Sequence, residues 1–109
     1  MIAVDILGKN YEVEFCDKND PDLESNDGVC RNYSNKIKIR KSEYMLDDGE
    51  VHEAKESRLH EVIRHELVHA FSYQSGCSFD DDEALVDWIA RMIPKIEAVY
   101  AQIIMESGK

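Results

Sequence analysis

No stretch of this sequence approaches the roughly 18 consecutive apolar residues that a membrane-spanning helix needs. The opening MIAVDILGKN also lacks the basic flank and apolar run of an export signal. Both absences point to a cytoplasmic protein with no membrane partner. Cations are scarce: Lys+Arg number 13 against 23 Asp+Glu, a formal charge of -10. Such a chain repels phosphate backbones, so nucleic acid is not expected as a partner. Cysteine is sparse as well. Cys16, Cys30 and Cys77 are odd in number and widely spaced, unlike the paired framework of a small secreted fold, and read as reduced, partly buried thiols. Internal repeats and low-complexity tracts are missing.

What is there suits one folded unit. A length of 109 residues, 43% of them hydrophobic and 33% charged, is enough for a single core but not for a catalytic domain plus a separate substrate domain. Residues 2 to 7 (IAVDIL) and 11 to 16 (YEVEFC) alternate β-branched or aromatic residues with polar ones around GKN, which predicts a β-hairpin. DKNDPDLESNDG, residues 17 to 28, has no periodic apolar face and reads as a surface loop. In the next run Ile37 and Ile39 alternate with Lys36, Lys38 and Arg40. One side is greasy and the other cationic, a pattern that suits an edge strand protected from aggregation. DDGE, residues 47 to 50, breaks the chain before the helices.

From Glu53 to Gln74 Gly and Pro are absent, and Leu59, Val62, Ile63, Leu67, Ala70 and Phe71 recur at helical intervals, with Gly76 placed to end the helix. A second helix is expected from about residue 81 to 106, with Ser78, Asp80 and Asp81 as available N-caps and a kink near Pro94. The fold class is therefore α+β: a short, mainly antiparallel N-terminal sheet followed by two helices.

The first helix holds His65-Glu66-Leu67-Val68-His69. Residues four apart lie one turn apart on the same face, so His65 and His69 can meet one ion. Glu66 stands beside that ion, where a general base acting on water belongs. Zinc held by two neutral histidines needs a third protein ligand. Glu83, near the start of the second helix, is the best candidate, with Cys77 as a rival that would make the site more structural. Asp87, one turn on, can accept a hydrogen bond from the non-ligating nitrogen of a liganding histidine and fix its tautomer. Small residues at Ser72 and Ala90 would let the two helices approach closely.

HELVH followed by EALVD resembles the gluzincin arrangement of zinc metallopeptidases, in which HExxH is followed by a Glu ligand and, four residues on, a supporting Asp. The match covers residues 64 to 88. The run HELVHAF, a short loop and DEALVDWIA are also similar to minimal zincin-like metallopeptidases of phages and mobile elements, including the ImmA/IrrE-like group. The resemblance implies zinc as the cofactor, His65, His69 and Glu83 as its ligands, Glu66 as the base, Asp87 as the supporting acid, and a peptide or protein as the substrate. Two departures stand out. The spacing to Glu83 is shorter than in large gluzincins, and no second lobe supplies an oxyanion-stabilising His or Tyr. Tyr73, and less so His52, His60, Arg91 and Tyr100, are the residues that could fill that role. A zinc-binding regulatory or adaptor module that engages a partner protein without cutting it, or a helical protein with no metal, are the alternatives.

Overall fold

The computed structural model describes residues 1–45, 52–77, 79 and 81–108. Four strands, β1 (Ile2–Ile6), β2 (Lys9–Cys16), β3 (Gly28–Arg31) and β4 (Lys36–Arg40), precede two helices, α1 (His52–Ser75) and α2 (Glu83–Ser107). The DDGE break at residues 47 to 50 lies outside the described residues. Leu7 and Gly8, with φ of 51° and 91°, form the two-residue turn between β1 and β2. Positive φ at both central positions gives this turn the twist of the flanking strands. The turn thus begins one residue earlier than the GKN pattern suggested, and Lys9 and Asn10 already belong to β2.

The sheet order is β1-β2-β4-β3, with β2 and β4 parallel and the other two pairings antiparallel. β4 is therefore an interior strand, not the edge strand that its alternating lysines suggested; the edges are β1 and β3. Ile37 and Ile39 point into a core shared with Ile6, Tyr11, Met45 and Ala70, onto which Leu59, Val62, Ile63 and Leu67 of α1 pack. Lys38 and Arg40, on the opposite face, are also buried.

Residues 17 to 27 explain how two cations can be buried there. This segment lies over the outer face of the sheet, with Leu23 fully buried. The Arg40 guanidinium donates to the carbonyls of Lys18 (3.2 Å), Glu24 (2.9 Å) and Asn26 (2.8 Å). Its Nε lies 3.7 Å from Oδ1 of buried Asp27, whose other oxygen takes Arg58. Lys38 Nζ meets Asp22 at 2.7 Å and Asp20 at 3.1 Å. The stretch is more than a surface loop: it supplies the acceptors that make a cationic sheet face compatible with burial.

These contacts have a pH signature. The Asp20 carboxyl is held below its usual range by the Asp22 backbone N–H and by Lys38, and the Asp22 carboxyl chiefly by Lys38. A depressed folded-state pKa contributes stability that is fully present above the unfolded value, about 3.9, and is lost as pH falls through the folded one. Asp20→Asn combined with Asp22→Asn is thus expected to flatten the loss of stability below about pH 4. Denaturant melts of both proteins between pH 6 and pH 2 check this, and an unchanged acid limb would contradict it.

α1 ends at Gly76, where φ of 77° suits glycine. Ser72 Oγ donates to the Cys77 carbonyl at 2.8 Å, tying the turn to the helix it leaves. α2 begins one residue after Asp82, whose side chain accepts from Leu85 N at 3.1 Å. Asp82 is thus the N-cap, instead of Ser78, Asp80 or Asp81; residues 78 and 80 lie outside the described residues. Ala90 and Val86 are fully buried beside Val68, with Phe79 and Ile89 packed against them, so small side chains do bring the helices together. α2 is continuous across Pro94. Among the described residues no helix is long and apolar enough to cross a membrane.

Candidate metal centre

His65 and His69 leave α1 one turn apart, with ring centroids 5.0 Å from each other. The fold-back of α2 sets Glu83, in its first turn, over both. Glu83 Oε2 lies 2.9 Å from His65 Nε2, and Oε1 lies 2.8 Å from His69 Nε2. One carboxylate therefore faces both imidazoles through the same ring nitrogen of each. One ligand atom from each of the three residues falls within 4.8 Å of the others. A donor set of two imidazole nitrogens and a carboxylate oxygen fits the three-ligand pattern of catalytic zinc sites. Cys77 is exposed at the turn and is not one of the three.

Asp87, one turn beyond Glu83, has Oδ1 3.7 Å from Nδ1 of His65, the ring nitrogen turned away from Glu83. That separation is longer than a direct hydrogen bond. The carboxylate is nevertheless on the side where it would receive a proton held on Nδ1 if Nε2 gave up its contact with Glu83 to bind a metal. Its Oδ2 lies 3.3 Å from Arg91 Nε, an i,i+4 contact on the same helix.

Glu66 occupies the helix row of Val62 and Ala70, the row that faces the core, and is only 6% exposed. A carboxylate in that row is costly unless it has a purpose or partners, because burial strips its hydration. Gly28 at the start of β3 makes room for it. A side chain there would bring a Cβ to 2.8 Å from Val62 Cγ1 and 3.0 Å from both Cγ and Oε2 of Glu66. The edge strand thus closes over the carboxylate as a lid of bare backbone.

These groups open on one cleft of about 710 Å³. α1 contributes Arg58, Glu61, Val62, His65, Glu66 and His69 to it, α2 contributes Glu83 and Asp87, and the β3 edge contributes Gly28, Val29 and Cys30. All five residues singled out in the sequence line this cleft. The sheet-side wall, including Asp27, Gly28 and Asn32, was not identified from the sequence. The Asp27-Gly28 pair looked like the end of a loop, and nothing local marks it as a neighbour of residue 66.

The alternative oxyanion donors are placed elsewhere. Tyr73 packs edge to face on Tyr33, with centroids 5.8 Å apart. His60 is exposed, and Tyr100 lies on the exposed half of α2. Arg91 pairs with Asp87, and the His52 side chain lies outside the described residues. A second acidic group, Glu14, Cys16 and Asp20, also clusters. There burial, followed by the charge of Asp20, pushes the Cys16 thiol up to about 11, and Asp20 is engaged by Lys38. Lys38 already occupies the Asp20 carboxylate there, at 3.1 and 3.2 Å from its two oxygens.

No protein family model, curated protein or solved structure matches the chain.

Proposed function

We propose that the protein is a zinc-dependent peptide-bond hydrolase of the HExxH type, gluzincin-like in the order of its ligands and acting on a peptide or protein in the cytoplasm. The observation that carries this reading is the meeting of two Nε2 atoms with the two oxygens of Glu83, at 2.9 and 2.8 Å. Buried Glu66 opens on the same cleft. His65, His69 and Glu83 would hold the ion, and Asp87 would steer the tautomer of His65. Zinc, when bound, supplies the Lewis acidity that polarises a peptide carbonyl and makes water easier to deprotonate. Glu66 is the group placed to take a proton from attacking water on its carboxylate and return it to the departing amine. An extended peptide would find the edge strand β3 to pair with, since main-chain hydrogen bonds along a sheet edge demand little of the sequence. This replaces the β4 edge expected from the alternation at residues 36 to 40.

Elemental analysis of the purified chain tests the ligand set. About one zinc per chain is expected for the wild type and for Cys77→Ala, and a small fraction of that for His65→Ala and Glu83→Ala. A wild type without stoichiometric zinc, or a Glu83→Ala protein with the full complement, would overturn the proposal.

A further inference from the structure

α2 is 25 residues long, but only Val86 and Ala90 are buried, and every residue from Lys95 to Ser107 is exposed. The helix projects from the domain and raises the radius of gyration to 15.3 Å. A compact chain of this length would have about 13 Å.

The projecting surface is not polar. Ile89, Ile96 and Ile103 stand seven residues apart, with Leu85, Met92 and Val99 four residues ahead of each; Ile89 is half-buried against Val86 and Ala90, and the row emerges from the domain beyond it. This alternating three-and-four spacing is the seam of a heptad repeat, with β-branched residues at one core position and Leu, Met or Val at the other. Pro94, the interior proline, falls at the heptad position farthest from the seam. The seam residues Ile96, Val99 and Ile103 are 57 to 60% exposed, and Trp88 and Tyr100 beside them are 52 and 59% exposed.

At that exposure each side chain offers on the order of 100 Å². Six of them, counting Leu85, would present roughly 600 Å² per copy and about 1,200 Å² in a pair, which reaches the lower bound of a stable interface. Charge favours the same occupant. Beyond Trp88, α2 balances Arg91 and Lys95 against Glu97 and Glu106, within a chain of formal charge -10. Two copies can meet along this face without the like-charge repulsion that the rest of the acidic chain would impose.

We propose that the α2 stripe from Leu85 to Ile103 is the interface of a homodimer, in which the α2 helices of two copies pair seam to seam about a two-fold axis. The pairing is isologous, because one self-complementary surface serves both copies. It does not depend on the metal reading.

Sedimentation equilibrium of the full chain at micromolar concentration is expected to give about twice 12.6 kDa. Ile96→Glu and, separately, Ile103→Glu are expected to weaken the association by roughly 100-fold or more, because a seam carboxylate must be desolvated. Ile96→Leu is expected to leave it intact. Both altered residues are exposed in the single chain, and Ile103 lies in the last turns of the helix, so far-ultraviolet circular dichroism and zinc content should stay at the wild-type level. A wild type that remains monomeric at hundreds of micromolar overturns the proposal, as does a dimer indifferent to both glutamates. A monomer would leave the stripe to a different protein.

Discussion

Glu66→Gln is expected to retain zinc and to lose peptide hydrolysis by roughly 10²- to 10⁴-fold in kcat, the usual contribution of a positioned general base. The amide is nearly isosteric with the carboxylate, so the packing beneath Gly28 should survive. The buried position at 6% exposure then keeps its shape while losing the ability to accept a proton. Zinc analysis and a peptide-cleavage assay on the same preparation separate the outcomes. Full zinc with full activity would remove Glu66 as the base. Loss of zinc would mean that the carboxylate is needed to assemble the site. A wild type that binds zinc and shows no hydrolysis, with biological activity unchanged in Glu66→Gln, would instead identify a binding module in which the metal clamps α1 to α2.

Asp27→Ala is expected to destabilise the fold by about 3 kcal/mol, the lower end of what removing one member of a buried ion pair costs. Asp27 and Arg40 are 6% and 3% exposed. The alanine leaves the guanidinium buried without its counter-charge. Three backbone carbonyls still receive its N–H groups, which is why the lower end applies. For a domain near this size the loss corresponds to a fall in Tm of roughly 10 °C or more. The exposed pair of Lys41 and Asp17, at 3.0 Å, is the control. Lys41→Ala should leave the melt almost unchanged, because solvent screens such pairs. Denaturant melts measure both, and a value for Asp27→Ala as small as the control would show that the buried pair contributes nothing. Asp27 adjoins Gly28, so the same substitution should also loosen the cover over Glu66 and lower activity in the fraction that remains folded.

The helices and the site they share were legible in the sequence because their determinants are local. The apolar period from Leu59 to Phe71 predicted a helix over residues 53 to 74, and α1 runs from His52 to Ser75. The four-residue offset of the histidines in HELVH, and Glu83 after a turn that folds the chain back, pointed to the three side chains that the helices bring within 4.8 Å of one another. The sheet order was not legible in the same way. Lys36, Lys38 and Arg40 looked solvent-facing because alternation cannot distinguish water from a buried polar cover. That cover is built by residues 17 to 27, whose contacts with β4 reach across 14 to 22 positions of sequence. The burial of Glu66 was hidden for a related reason. It depends on a glycine far away in the chain, and Asp-Gly on its own announces only a turn.

An engineer shortening this protein would first cut at residues 17 to 27, the most polar and least patterned span. The carbonyls gathered by Arg40 make it the wrong place. With them gone, a guanidinium would sit on a bare sheet with nothing to receive its protons. Grafts, tags and protease sites belong beside the Leu7-Gly8 turn, where the space within 4 Å of Gly8 is open, with Gly8 itself kept because its φ of 91° strains any other residue.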